Sequence, residues 1–199
     1  LSQRLIFLEA VPDGAAFFYE RTGNMVKVAA LATDGLEEIE LTSPKEALEK
    51  AGATVTVISL KAGEFQAVNK DIYPSNKIRA DLAIADAKAS DFDALLLPGG
   101  LASPDALRMN KDVVAFVKEF VKANKPIAAI CHGAQTLIEV NELRGRTVTS
   151  WPAIKTDFQN AGAHWVDTEV VTDGPYVFSL CPDDLPAFNK AIIEHFKLS

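Results

Sequence analysis

Short apolar runs alternate with amphipathic stretches over most of the chain. Four of these runs predict buried strands, at positions 26–31, 54–60, 94–97 and 126–130. Segments whose apolar residues have helical spacing lie between these strands. The clearest is 110–121, where Asn110 can cap the start of an amphipathic helix. Strands that alternate with helices form right-handed crossovers. The pattern therefore predicts an α/β fold, with a mostly parallel central sheet and helices on both of its faces.

Two stretches depart from this alternation. Residues 61–85 lack helical periodicity and alternate in part, so they predict a hairpin or an excursion at a sheet edge. Residues 1–24 precede the first convincing core strand and contain a turn signal, after which 15–21 are expected to form a short helix. We interpret 1–24 as an appendage whose role the sequence leaves open, and 25–199 as one α/β domain.

Capping signals set the expected bounds of two helices. Ser43 begins a capping-box pattern with proline in the first turn, so a helix is expected to start there and to end at Gly52. A separate helical turn over 37–41 can join it. Asp183 or Asp184 is expected to cap the last helix of the chain.

Cys131 follows the fourth strand, where the chain turns into an expected helix over 134–140. A strand that turns sharply into a helix through a nucleophile is the elbow geometry of hydrolases, and here the nucleophile would be a thiol. Because free N–H groups and the helix dipole favour an anion there, the pKa of this thiol is expected to be lowered. The alternative is a buried, inert cysteine at a strand end. The adjoining His132 and Gly133 favour the reactive interpretation.

A reactive thiol needs a base, and His132 is the histidine next to it. Its ring can point into the same pocket, although a helix-start residue that faces solvent is the alternative. His164 and His195 lie elsewhere, and neither sits in an H-x-E motif. This argues against a glutamine amidotransferase with a Cys-His-Glu triad wholly within one chain.

Three loops are expected to supply the chemistry, because sites in parallel sheets lie at the carboxyl ends of the strands. They follow Leu31, Leu97 and Ile130. In the second loop, Gly99 and Gly100 allow backbone to approach a ligand. The amides of Gly100 and His132 could form an oxyanion hole, whereas a plain tight turn is the alternative.

The first loop supplies a cluster of carboxylates, Glu37, Glu38 and Glu40. Acidic residues at a helix start usually complement the helix dipole. A carboxyl buried beside Cys131 would instead stay partly protonated and could hydrogen-bond the sulfur.

Composition and net charge argue against several classes of partner and cofactor. The chain has 199 residues and a net charge of −7 without a basic stripe, so a nucleic-acid partner is not expected. Its two cysteines are too few for a disulfide framework and suit a reducing cytoplasm. No apolar run approaches the ~20 residues that cross a bilayer, so a membrane partner is not expected either. We expect no cofactor and no metal.

Three motifs in order resemble the PfpI intracellular protease-like family of the DJ/PfpI superfamily. They are Gly35-Leu36-Glu37-Glu38-Ile39-Glu40-Leu41, Leu97-Pro98-Gly99-Gly100 and Ala129-Ile130-Cys131-His132-Gly133. The resemblance runs from about Val26 to the C-terminus and includes Thr149-Ser150-Trp151 and the segment 182–188; residues 1–24 fall outside it. It implies the class I glutamine amidotransferase-like fold, a flavodoxin-like sandwich.

The resemblance also implies roles for individual residues. Cys131 would be the nucleophile, His132 its partner and Glu40 the superfamily's glutamate beside the cysteine, with Gly100 and His132 giving the oxyanion-hole amides. Asp105 matches the acid that orients the histidine of a neighbouring subunit in PfpI-like proteins, which implies a dimer or a hexamer. From the residues alone, Asp105 would be a helix-start residue.

Two positions depart from the family pattern. Leu180 stands where members usually carry an arginine, and Trp151 stands where some have tyrosine. Gly99 and Trp151 are expected to line the substrate pocket, whose polarity the missing hydroxyl would change.

The resemblance implies an enzyme without fixing its substrate. Members are described as peptidases, as glyoxalases converting methylglyoxal to lactate, and as deglycases acting on early glyoxal adducts. We favour small dicarbonyls or their adducts, because a compact chain shows no added specificity domain for an extended peptide. An intracellular cysteine peptidase is the alternative. A redox-sensing stress protein or chaperone without turnover is the alternative of another class.

Overall fold

The structure, a computed structural model, describes residues 6–9, 17–20 and 25–198. The strands are β1 Ile6–Glu9, β2 Phe17–Glu20, β3 Lys27–Leu31, β4 Leu36–Glu37, β5 Thr54–Ser59, β6 Gly63–Asn69, β7 Tyr73–Ala80, β8 Leu82–Ala83, β9 Ala94–Leu97, β10 Ile127–Ile130, β11 Thr147–Val148, β12 His164–Trp165, β13 Val170–Asp173 and β14 Tyr176–Ser179. The α-helices are α1 Glu38–Lys50, α2 Ala102–Met109, α3 Lys111–Lys122, α4 Gln135–Glu139, α5 Lys155–Asn160 and α6 Leu185–His195. Short 3-10 turns are formed by Ile84–Asp86, Ala89–Asp91, Pro152–Ile154 and Pro182–Asp184.

The central sheet has seven strands in the order β13-β14-β10-β9-β3-β5-β8. Neighbouring strands within this sheet run parallel, except β13 and β14, which pair antiparallel. Buried residues of α1 and α6 cover one face, and buried residues of α2 to α5 cover the other. Every residue of β9 and β10 is buried, as expected for strands covered on both faces. The predicted α/β fold with a mostly parallel sheet is confirmed.

The helix after β3 starts earlier than its capping signal predicted. One continuous helix, α1, contains both the expected turn and the expected helix, with Pro44 in its interior. The predicted start at Ser43 is therefore wrong. Leu41 and Leu48 are both buried, so packing of this face continues across the proline. The Ser43 hydroxyl accepts a hydrogen bond of 2.8 Å from the Asn189 side chain instead of capping a helix.

Asn110 caps α3 as predicted, because its Oδ1 accepts the amide hydrogens of Asp112 and Val113 at 2.9 and 3.1 Å. Asp184 precedes α6, but its side chain makes no capping bond. Its carboxylate accepts the Cys181 thiol at 3.3 Å instead, so the predicted acidic cap is wrong at this position.

The stretch 61–85 forms the predicted hairpin, since β6 and β7 pair antiparallel and β8 follows at the sheet edge. Strand β4, which lies just before α1, pairs with β6 and so ties the hairpin to the first loop of the site.

In the N-terminal stretch, β1 and β2 form an antiparallel pair. The helix predicted over 15–21 is wrong for 17–20, where three successive aromatic residues favour a strand; its other positions lie outside the described residues. The division at residue 24 stays a prediction. Within the described part of the chain, no helix is long and apolar enough to span a membrane.

Candidate active site

The backbone turns sharply at Cys131, directly after β10. Cys131 has a positive φ of 59°, a conformation that non-glycine residues rarely adopt. Its N–H donates to the carbonyl of Ser179 at 3.0 Å, and the Gly133 N–H donates to that of Ile130 at 2.9 Å. A Cβ atom on Gly133 would lie 2.0 Å from the carbonyl oxygen of Leu97, so only glycine fits there. The elbow is thus held by β14 on one side and by the end of β9 on the other.

Gly99 brings the second loop into contact with both other loops. Its N–H donates to Oε2 of Glu40 at 2.8 Å. A Cβ atom at this position would lie 2.5 Å from that oxygen, 2.8 Å from Cβ of Cys131 and 2.9 Å from the His132 nitrogen. The segments that follow β3, β9 and β10 therefore meet at the carboxyl ends of these strands, as predicted.

Glu40 is the carboxyl that lies inside this cluster, with 0% of its surface exposed. Burial raises its pKa to about 8, against the smaller lowering effects of the Gly99 amide and the Cys131 thiol, so the carboxyl is mostly protonated at neutral pH. Oε2 accepts the Gly99 amide, which leaves the proton to Oε1. Oε1 is buried and has no hydrogen-bond partner among the described residues, and an interaction between this carboxyl and the Cys131 thiol lowers the pKa of Glu40.

The neighbouring acidic residues have other partners. Glu38 binds Ser75 and Asn76 on β7, and these hydrogen bonds lower its pKa. Glu37 accepts the amides of Lys70 and Asp71 in the turn between β6 and β7. Of the three clustered carboxylates, Glu40 is therefore the one beside the sulfur.

His132 lies against the thiol, with 3.3 Å between its Nδ1 and Sγ of Cys131. It is 4% exposed, so the solvent-facing alternative does not describe it. Burial lowers the pKa of the ring, which keeps the imidazole neutral and able to accept a proton.

The expected lowering of the thiol pKa is wrong. Cys131 is 3% exposed, and its burial, together with the charges of Glu40 and Asp71, raises its pKa. The amide of His132 opposes this shift. Helix α4 begins only at Gln135 and is five residues long, so Cys131 is not in its first turn. His132 Nδ1, 3.3 Å from the sulfur, is placed to accept the thiol proton.

The oxyanion hole expected from the amides of Gly100 and His132 stays a prediction. Among the described residues, the N–H groups of Gly100 and His132 have no backbone carbonyl partner. Gly100 has a positive φ of 85°, and a Cβ there would lie 2.4 Å from the Glu37 nitrogen, which explains the glycine.

Trp151 lies at the rim of the site. It is 37% exposed, and its ring centroid is 6.3 Å from that of His132. Its backbone N–H donates to the carbonyl of Cys131 at 3.3 Å. Leu180, at the position of the missing arginine, is half-buried directly after β14.

Asp105 is the predicted residue that the single chain does not bring to the thiol. It is exposed in the first turn of α2, and no hydrogen bond or ion pair joins it to Cys131 or His132 in the described structure. Its predicted role concerns a neighbouring subunit.

Asp71 was missed by sequence reasoning. It follows β6 in the hairpin turn, and its charge acts on Glu40, Cys131 and His132. The irregular stretch 61–85 gave no signal of this, because nothing in its pattern connects it with a site 60 residues further on.

Comparisons with known proteins identify the family of the chain. The sequence profile of the DJ-1/PfpI family matches residues 26–195. "Putative cysteine protease YraA" of Bacillus subtilis is 46% identical over 171 residues, which are 86% of this chain and 98% of that protein. "Uncharacterized protein SAV1875" of Staphylococcus aureus is 44% identical over 173 residues, again 86% and 98%.

Solved structures show the same fold. A two-domain protein from Anabaena variabilis, with DJ-1/ThiJ/PfpI-like and ferritin-like domains, has a TM-score of 0.80 and 38% identity, over 86% of this chain and 48% of that one. The chain thus spans about half the length of that protein. Drosophila melanogaster DJ-1beta has a TM-score of 0.79 and 28% identity, over 88% of this chain and 92% of that one. With its elbow cysteine, the chain belongs to the DJ-1/PfpI family.

Proposed function

We propose that this chain is a cysteine-dependent enzyme that acts on small dicarbonyl compounds or on their adducts, with conversion of methylglyoxal to lactate as the simplest reaction. The burial of the thiol carries this proposal. Cys131 is 3% exposed beneath the loop of Gly99 and beside Trp151, and a small aldehyde reaches such a sulfur more readily than the backbone of an extended peptide.

The first step would be attack of sulfur on the aldehyde carbon. His132 Nδ1, 3.3 Å from the sulfur, takes the thiol proton while the S–C bond forms. The aldehyde oxygen receives the electron pair of the broken C–O π bond, and the amides of Gly100 and His132 supply hydrogen bonds to it. Protonation of that oxygen gives a hemithioacetal.

The second stage would be an internal redox step that needs no external oxidant. The proton on the former aldehyde carbon is removed and the neighbouring ketone carbon receives one, while the hemithioacetal hydroxyl loses its proton and the ketone oxygen gains one. The first carbon is thereby oxidised and the second is reduced. The product is a thioester of lactate. Water then cleaves its C–S bond, which returns lactate and the Cys131 thiol. Glu40 and His132 are the groups beside the sulfur that can move these protons.

The test is lactate formation from methylglyoxal by the wild-type protein, Cys131→Ala and His132→Ala. Lactate should form with wild type, disappear with Cys131→Ala and fall by about a hundredfold with His132→Ala, the usual contribution of a general base. Free glycated amino acids, offered separately, test the adduct reaction. Equal lactate formation by wild type and Cys131→Ala would overturn the proposal.

A cysteine peptidase is the second candidate, supported by the name of the Bacillus subtilis relative. It would use the same thiol and amides for acyl transfer. Hydrolysis of fluorogenic peptides by wild type but not by Cys131→Ala, with no lactate from methylglyoxal, would favour this function over ours.

A redox-sensing role is less well supported. Readily oxidised cysteines are exposed and have a low thiol pKa, whereas Cys131 is buried and its thiol pKa is raised. Intact mass after mild peroxide treatment tests this alternative directly.

We also propose that Asp105 completes the site of a neighbouring subunit in a dimer or a hexamer. Its exposure within the single chain supports such a contact, since an exposed carboxylate is free to reach another molecule.

A further inference from the structure

The turn between β6 and β7 is held in place by Glu37. Lys70 and Asp71 have positive φ angles of 53° and 63°, and their amides donate to the two carboxylate oxygens of Glu37 at 3.1 and 2.8 Å. Two successive residues in this conformation aim their N–H groups at one anion. Glu37 therefore fixes the conformation of the turn and the place of Asp71.

Glu37 also connects this turn to the thiol site. It pairs with Val68 in the β4–β6 ladder, and its nitrogen would lie 2.4 Å from a Cβ on Gly100. Gly100 follows Gly99, which packs against Cys131 and His132. The hairpin turn is therefore next to the loop that covers the thiol.

The Asp71 side chain has an oxygen with no conventional partner. Its Oδ1 is buried and makes no hydrogen bond among the described residues. Neither Glu37 nor Asp71 forms a salt bridge with a lysine or arginine among the described residues, so no cation neutralises their charges locally. The charge of Asp71 consequently extends to its neighbours: it raises the pKa of His132 against burial, and it raises those of Cys131 and Glu40.

We propose that Asp71 is a positioning residue of this site, whose carboxylate stabilises the His132 imidazolium that forms when the ring takes the Cys131 proton. The S–H bond breaks and an Nδ1–H bond forms, so a positive charge appears on the ring within the field of Asp71. The acid of a catalytic triad stabilises its imidazolium through a hydrogen bond, whereas Asp71 would act through its charge alone. This chain thus carries an acid for His132 on its own hairpin, in addition to whatever a neighbouring subunit contributes. The catalytic consequence rests on the proposed function.

Among the described residues, the ionisable groups of the site come from four elements. The elbow supplies Cys131, α1 supplies Glu40, β4 supplies Glu37 and the hairpin supplies Asp71, while Trp151 adds an uncharged ring. Glu37 is occupied by two amides and Glu40 is mostly protonated at neutral pH. Asp71 is therefore the carboxylate whose removal should change the ring most.

The experiment is an NMR titration of the His132 ring in wild type, Asp71→Asn and Asp71→Glu. Asn keeps the size of Asp and tolerates a positive φ, so the amides of the turn can still bind Glu37. Asp71→Asn should lower the titration midpoint of His132 by about half a unit, a threefold change in its protonation constant. Asp71→Glu should restore much of the difference. Glu64→Gln removes the same charge from an exposed position at the far end of the hairpin, and it should leave the midpoint unchanged.

If Asp71 has only a structural role, Asp71→Asn should shift the titration midpoint of His132 in the opposite direction. If the hairpin only keeps water out, Asp71→Asn will admit water and the His132 midpoint will rise towards 6.5, its ordinary value. A rise, or no change, would overturn the proposal. The lactate assay is read separately: with the proposed function correct, Asp71→Asn should reduce kcat by about tenfold with little change in KM. If wild type makes no lactate but the midpoint still falls in Asp71→Asn, the proposed function fails while the assignment of Asp71 to His132 stands.

Discussion

The protonated carboxyl of Glu40 makes the free energy of unfolding depend on pH. Its pKa is about 8 in the folded protein and 4.5 as a free side chain. Between these values the folded state holds a proton that the unfolded state has lost. Stability from this group is therefore fully present below the unfolded value and decreases as pH rises, by at most about 1.4 kcal/mol per pH unit.

Replacing Glu40 with Gln should remove this dependence, because an amide stays neutral throughout. Chemical denaturation from about pH 5 to pH 8 should show wild type losing stability relative to Glu40→Gln as pH rises. His132 works in the other direction, since its lowered pKa adds stability as pH rises, but both proteins share it. Glu38→Gln is the control: the pKa of Glu38 is lowered, so its carboxyl is ionised across this range in both states. A constant difference between wild type and Glu40→Gln would contradict a buried, protonated carboxyl.

The loop after β9 acts as a spacer, because only its backbone at Gly99 lies between Glu40 of α1 and Cys131 of the elbow. Gly99→Ala would place a methyl group 2.5 Å from Oε2 of Glu40 and 2.8 Å from Cβ of Cys131. The carboxyl and the thiol must then separate, and displacements of this size commonly reduce activity by about a hundredfold. The measurement is kcat/KM for lactate formation, with circular dichroism to follow the fold.

Gly63→Ala is the matched control for this loop. A Cβ on Gly63 would meet no atom within 4 Å, although its φ of 108° still costs about 1 kcal/mol of stability. It should leave kcat/KM unchanged. Full activity in Gly99→Ala would mean that the loop is not a spacer.

The strands and helices also show how much of the fold could be predicted from the sequence. Periodicity predicted the buried strands and the Asn110 cap, because these depend on local apolar spacing and on a short side-chain bond. It misplaced the start of α1, because packing of Leu41 and Leu48 overrides the signal at Ser43 and Pro44. The Asp184 cap failed because the Cys181 thiol competes for the same carboxylate.

Residues of the site could be predicted only where they belong to a sequence motif with a known local geometry. The elbow cysteine, its histidine, the glycine loop and Glu40 could be named from motifs and family resemblance. The thiol pKa could not, because it depends on burial and on charges from other segments. Asp71 could not be named either, since its proximity arises from the pairing of β4 with β6.

For the whole molecule, the described chain brings together every proposed group of the site except Asp105. Two exposed apolar residues, Leu101 and Met109, lie at the ends of the segment that carries Asp105, with 55% and 79% of their surfaces exposed. An exposed acid between exposed apolar side chains suits a contact with a second copy of the chain. A site shared between subunits requires an oligomer, and the kinetics of mixed subunits can test this.

Asp105→Asn should reduce lactate formation by at least about tenfold without loss of stability, because the histidine of the neighbouring subunit loses its orienting acid. Asp112→Asn makes the same substitution in the first turn of the next helix and should have no effect. Mixing Asp105→Asn subunits with Cys131→Ala subunits should then restore activity. In a dimer with random exchange, about a quarter of the sites pair an intact Cys131 with an intact Asp105 from the other subunit. Native mass spectrometry verifies the exchange. If mixed oligomers recover nothing, or if a monomer is fully active, Asp105 is an ordinary exposed residue of α2 and each chain completes its own site.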